Sequence, residues 1–217
     1  MRTIIFLLLA PFLAFDAVAQ PVTDDNLSVN ARFLVAARNA DAAGIEQALA
    51  AGANVNSRNR LGEGALVILL KNNKVELAQK VLAAGADVNL AAINGITPLM
   101  AAAFNGQTGV AKQLLDKGAN IAALDRLQKN AMTYAAGAGS TEIVELLLAR
   151  GVNPNAIYNN DLTALMWAAG FGKTATVKAL LAAGAKPQMK DNRGKTAAEM
   201  AREGSFNETA AILDAAG

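Results

Sequence analysis

Apolar side chains recur along this chain at fixed distances from a returning glycine. Three residues before the glycine stands Leu49, Leu82, Leu115, Leu148 or Leu181. Four before it stands Ala48, Val81, Leu114, Leu147, Leu180 or Leu213, and seven before it Ile45, Ala78, Ala111, Val144 or Val177. Offsets of three, four and seven fall on one face of a helix of 3.6-residue period. Acidic residues such as Glu46, Glu76, Glu142 and Glu145 occupy the faces left for solvent. The glycines themselves, Gly52, Gly85, Gly118, Gly151, Gly184 and Gly217, return at one unvarying interval. Each is expected to end its helix, because glycine adopts the left-handed conformation at little cost.

A second, shorter helix is predicted ahead of each stripe. Its small pair keeps a constant offset from the glycine, as Ala36-Ala37, Ala102-Ala103, Ala135-Ala136 and Ala168-Ala169. Small side chains let two helices approach closely in a close-packed interior. The turn between the helices carries Gly106, Gly139 and Gly172, spaced by the same interval. Thr97-Pro98-Leu99, Thr163-Ala164-Leu165 and Thr196-Ala197-Ala198 open this helix. A threonine hydroxyl caps exposed backbone N–H groups, and Pro98 suits a first helical turn. The residues that follow each landmark glycine lack helical periodicity and are expected to form a turn or short β-hairpin. A fixed period of this length means stacked copies of one helix–turn–helix unit, none able to bury its apolar face alone. The expected architecture is therefore an all-α solenoid of about six copies.

These residues resemble a known family. Thr97-Pro98-Leu99-Met100-Ala101-Ala102-Ala103-Phe104-Asn105-Gly106, with Leu114-Leu115 and Gly118-Ala119-Asn120 behind it, is similar to the ankyrin repeat. Glu142-Ile143-Val144-Glu145-Leu146-Leu147, ending at Gly151, resembles that repeat's second helix. The likeness covers about residues 31–217, divided as 31–59, 60–92, 93–125, 126–158, 159–191 and 192–217. The fourth position of the family's Thr-Pro-Leu-His motif is never His here: Val67, Met100, Thr133, Met166 and Glu199 occupy it. The hydrogen bonding that His supplies in the family must be replaced or lost. In the 60–92 copy Gly64-Ala65-Leu66 replaces the threonine motif and Leu69-Leu70 the small pair, so this unit is expected to be the least regular. Arg202, Glu203, Ser205 and Asp214 give the last copy the polar character of a cap.

Composition narrows the chemistry. The 217 residues include 20 basic and 18 acidic side chains, for a net charge of +2, without a long block of Lys or Arg. Nucleic-acid binders carry a clustered basic face, so no nucleic-acid partner is expected. At the N-terminus, Arg2, the apolar run Ile4 to Phe15 and Ala17-Val18-Ala19 match an export signal with a small-residue cleavage site. The run is too short for a spanning helix of about 20 residues. Residues 1–19 are therefore read as a cleaved signal, residues 20–30 as a flexible leader, and the mature chain as periplasmic, with no membrane insertion once the signal is removed. A retained anchor is the lesser alternative.

Without His or Cys, the commonest general base, the thiol nucleophile and most zinc sites are absent. No catalytic, cofactor or metal site is expected. Gly137-Ala138-Gly139-Ser140-Thr141 lacks the spacing of either nucleotide motif and does not follow a strand. Asn56, Asn89 and Asn155 read as turn residues bonding nearby backbone.

What remains is a surface. The resemblance implies that a protein partner meets the hairpin tips and the first-helix face, which form a concave groove. By register the candidate contact residues are Arg60 and Leu61; Ile93, Asn94 and Ile96; Phe104 and Asn105; Arg126, Leu127 and Lys129; Asn160 and Leu162; Phe171; and Arg193. Ile93, Ile96, Phe104, Leu127, Leu162 and Phe171 are expected to line up as an apolar centre within a polar rim, the anatomy of a protein-binding patch. Trp167, at the position of Tyr134 and Ala101, is expected in the core. The implied function is a non-catalytic binding scaffold, expected to be monomeric. An immunity or inhibitor protein that occludes a toxin or enzyme would use the same groove. A hydrolase or small-ligand protein would need a closed polar pocket.

Overall fold

A computed structural model describes residues 27–217. The signal read over 1–19, and the leader up to residue 26, lie outside the described residues. Among the described residues there are twelve α-helices and no strand. They pair in chain order as α1 (Val29–Asn39) and α2 (Ala42–Ala50), α3 (Ala65–Lys71) and α4 (Val75–Ala83), and α5 (Pro98–Phe104) and α6 (Thr108–Asp116). The remaining pairs are α7 (Ala131–Ala138) and α8 (Thr141–Ala149), α9 (Ala164–Gly170) and α10 (Thr174–Ala182), and α11 (Ala197–Glu203) and α12 (Asn207–Ala216). Helix α1 takes in residues 29 and 30, the end of the stretch read as leader.

The pairs stack in sequence order. Each first helix touches the next, from α1 to α3 and on through α5, α7, α9 and α11, and α6, α8, α10 and α12 form a second row behind. The two rows differ in burial because they differ in composition. In α5 every residue from Pro98 to Ala103 is buried, and the Ala102-Ala103, Ala135-Ala136 and Ala168-Ala169 pairs have no exposed surface. Methyl side chains let these helices approach from both sides. The second helices bury only their stripe: Ile45, Val81, Leu114, Leu147 and Leu180 are fully enclosed. Leu49, Leu148 and Leu181, three residues before the glycine, are only partly so.

The landmark glycines Gly52, Gly118, Gly151 and Gly184 all stand at φ +86°, where a Cβ would meet nothing within 4 Å. Glycine is required there by backbone conformation rather than by space. The motif position that lacks His is satisfied in another way. The backbone N–H of Thr97 points to Met100 Sδ at 3.5 Å, and that of Thr163 to Met166 Sδ at 3.4 Å. Thr133 Oγ1 accepts from the Asn130 N–H at 3.0 Å, and Glu199 Oε2 from the Thr196 N–H at 2.7 Å. In each case the cap residue accepts in return from the third helical N–H, a reciprocal capping box. Of the five motif positions, only that of Val67, in α3 behind the cap Gly64, makes no such bond. Its irregular sequence still gives a helix, because Leu69 and Leu70 are wholly buried.

Of the expected turns or short β-hairpins, the structure forms turns closed by one or two backbone bonds, without strands among the described residues. In the tip at 124–129, the Asp125 N–H donates to Lys129 O; at 91–96 Ala92 donates to Ile96 O; at 190–195 Asp191 donates to Lys195 O.

Candidate protein-binding surface

Neighbouring tips are laced into a row by main-chain bonds. The Ile93 N–H donates to Leu61 O, Arg126 to Asn94 O, and Asn192 to Asn160 O, at 2.9, 2.9 and 3.1 Å. Among the described residues no such bond joins the tip at 124–129 to the tip at 157–162. In the latter the chain winds into a short 3-10 turn, Asn159–Asp161, with Asn160 and Asp161 at positive φ. Other tips place Gly62, Gly95 or Gly194 at the register of Asp161. The row parts between the two tips that lack this glycine, where Gln128 and Asp161 take its place at positive φ.

Of the sequence candidates, Leu61, Ile93 and Leu127 are 64%, 53% and 44% exposed, so three large apolar side chains do stand on the tip row. Arg60, Arg126, Asn160 and Arg193 are exposed beside them. Asn94, Phe104, Asn105, Leu162 and Phe171 are half-buried. Two candidates are corrected by the structure. Ile96 is 2% exposed and belongs to the core, because it lies at the base of its turn, where the chain enters α5. Lys129 is 3% exposed, folded under its own turn rather than displayed on it. Asn105 is committed within the protein: its amide donates to Leu70 O at 2.8 Å and closes the end of α3.

Lys129 belongs to a polar cluster that sequence reasoning missed. Asp125 Oδ1 accepts the N–H groups of Leu127 and Lys129, both at 2.8 Å, and Oδ2 accepts the Tyr134 hydroxyl at 2.6 Å. The Lys129 ammonium lies 4.8 Å from the Tyr134 ring centre and 5.7 Å from that of Trp167, within reach of both π faces. Burial lowers the Lys129 pKa, a shift that the Asp125 charge opposes. Burial and then the bond to Asp125 push the Tyr134 phenol upward. The arrangement braces one tip against the first-helix row. A signal was present in the sequence: Asp125 and Asp191, two repeats apart, hold their turns in the same way. Asp191 Oδ1 accepts from the Arg193 and Lys195 N–H groups, and Oδ2 accepts from Arg193 Nε at 2.8 Å.

A hollow of about 270 Å³ opens on the same face between the last two tips. Leu162, Met166, Trp167, Phe171 and Met200 form its apolar wall, and Asn160, Asn192 and Arg193 stand around it. Trp167 and Phe171, four residues apart at α9 and its C-terminal cap, share one side of the helix and lie nearly parallel, with ring centres 6.1 Å apart. Trp167 is 7% exposed, and its Nε1 is buried without a hydrogen-bond partner among the described residues. Packing rather than a directional bond therefore holds the indole nitrogen's end of the ring.

Two glycines shape this end of the row: Gly170 lines the hollow, and Gly137 lets the Trp167 and Phe171 rings lie close against α7. They stand where the earlier copies carry Lys71 and Phe104 and the next one Glu203. A Cβ at Gly137 would touch Phe171 and Trp167 at 3.6 Å; one at Gly170 would meet only Met200 Cβ, at 4.0 Å. The pair, one repeat apart and inside helices, is the sequence signal for the hollow.

Among the described residues no cluster of three or more His, Cys, Asp or Glu could hold a metal, and no helix is long and apolar enough to cross a membrane.

Helix pairs stacked in sequence order, with one row of first helices beneath a row of tips, define a repeat protein. The family model "Ankyrin repeats (3 copies)" matches residues 33–125 and 122–191. The chain belongs to the ankyrin-repeat family. No curated protein matches it significantly.

Proposed function

We propose that the mature chain is an exported, non-catalytic scaffold of the periplasm, holding a partner protein against its tips and first helices. The observation that carries this reading is the tip row itself. Leu61, Ile93 and Leu127 stand exposed on consecutive tips tied by main-chain bonds, flanked by Arg60 and Arg126. Apolar residues scattered singly on a surface need no explanation, whereas a contiguous row with a polar rim has the composition of an interface. A partner spanning the middle copies would cover about 800 Å² of this face, the usual area for a specific complex. The row is preformed, so little ordering entropy opposes association. Export rests on the sequence of residues 1–19.

Affinity capture from a periplasmic extract tests the reading. Leu127→Asp and Ile93→Asp are expected to lose the protein that the unaltered chain retains, with helicity unchanged because both side chains already face solvent. Lys178→Glu, on the outer side of α10, is expected to retain it. Retention by all three variants would place the interface elsewhere. Assaying the captured protein in the presence of the scaffold separates inhibition from tethering, and a first residue other than Gln20 in the mature protein would refute the cleavage.

A further inference from the structure

We propose that the hollow between the last two tips receives a single large apolar side chain, aromatic or Met/Leu, from a partner segment bearing an Asp or Glu close by. The inference rests on the scaffold reading and names the chemistry of the partner.

Size argues for one side chain. A dry cavity of about 150 Å³ holds a benzene-sized group, and whole small-molecule sites run from roughly 300 Å³ upward. At about 270 Å³ the hollow exceeds what one ring needs and falls below the range for a complete ligand. Its wall is a stacked indole and phenyl ring with two methionines, surfaces that are apolar, broad and adaptable.

Charge fixes the flanking residue. Arg193 stands beside the hollow with its Nε engaged by the enclosed Asp191, so the guanidinium is oriented while its two terminal nitrogens have no partner among the described residues. Along the tips, Arg58, Arg60, Arg126 and Lys190 are exposed and make no ion pair among the described residues, and Asp161 and Glu199 are exposed acids beside the last two tips. Glu63, Asp125 and Asp191 are all buried. The oriented guanidinium thus offers open donors at the rim of an apolar hole, and its complement is a carboxylate close to an apolar anchor.

Gly170 makes the test clean. A Cβ at Gly170 meets only Met200, in ordinary contact, so Gly170→Leu places its branched side chain in the hollow and replaces a helical glycine by a better helix former. The mature chain is panned with a random linear peptide library, and selected peptides are titrated through the fluorescence of Trp167, the single tryptophan. The expected result is a shared aromatic, Met or Leu residue with Asp or Glu nearby and a change in Trp167 emission on binding. Gly170→Leu should cost about tenfold or more in affinity, the loss of a buried anchor. Arg193→Gln should give a smaller loss and a weaker dependence on salt. Peptides that bind Gly170→Leu unchanged but fail on Leu127→Asp would overturn the anchor and leave the scaffold intact. Peptides indifferent to both would overturn the scaffold as well. Selection without acidic residues, or free indole competing as well as the whole peptide, would refute the partner chemistry.

Discussion

Replacing Ala122 by Asn should mend a gap in a ladder that joins the copies. Between most neighbouring copies one asparagine side chain bridges the loops. Asn56 Oδ1 accepts from the Asp87 N–H, Asn89 from Asn120, and Asn155 from Lys186, all at 2.8 Å. Asn89 and Asn155 also donate from Nδ2 to Gly118 O and Gly184 O, at 3.1 and 2.9 Å. Ala122 holds the same register, midway between Asn89 and Asn155, and cannot bridge. Its backbone is already in place: the Ala122 N–H donates to Asn120 Oδ1 at 2.9 Å, as Asn155 does to Asn153. The new side chain would accept from the Asn153 N–H and donate to Gly151 O.

Each exposed bond contributes about 0.5–1.5 kcal/mol, and ordering the Asn side chain offsets part of the gain. A net stabilisation of about 1 kcal/mol follows, or a rise of about 2–4 °C in Tm for a chain of this size. Stability in a stacked array is a sum of copy and neighbour terms, so the gain belongs to the contact between the 93–125 and 126–158 copies. Calorimetry reads the Tm, and amide hydrogen exchange reads where protection rises. Ala122→Asp, which accepts but cannot donate, should recover only part of the effect. An unchanged or lowered Tm, or added protection far from residues 118–153, would refute the reasoning.

Two further outcomes follow from the buried polar groups. Asp125→Ala strips acceptors from two N–H groups and from the Tyr134 hydroxyl, and removes the acid beside the enclosed Lys129; a loss of about 3 kcal/mol is expected in chemical denaturation. Asp125→Asn should cost much less, because Asn59 holds the turn at 58–63 through the same two N–H bonds. Burial would raise the Asp191 carboxyl, but the N–H groups of Lys195 and Arg193 and the Arg193 guanidinium outweigh it and hold the pKa below its usual value. A depressed folded-state pKa gives stability that is complete above the unfolded value of about 3.9 and lost as pH falls through the lower folded one. Acid titration of unfolding should show this loss below pH about 4, and Asp191→Asn should flatten it.

The spacing of residues was enough to establish the repeat and its pairs of helices. Offsets of three, four and seven from a glycine can be satisfied only by one helical stripe, and a fixed period can be satisfied only by stacking. It also placed the exposed row of Leu61, Ile93 and Leu127, since the register of a repeat fixes which residues reach a turn. What lies beneath those turns depended on packing in three dimensions. Ile96 and Lys129 occupy one register position at the base of their turns, with buried Glu63, and the turn folds them inward, where the Tyr134 and Trp167 rings receive the Lys129 ammonium. Of the replacements for the missing His, Thr196 with Glu199 carries the spacing of a capping box, whereas the Met sulfurs and the Thr133 hydroxyl become equivalent to it only at a helix cap. The hollow was least legible of all. It is an absence of side chain at Gly170 set beside large rings at Trp167 and Phe171, and only packing against the next copy turns an absence into a shape.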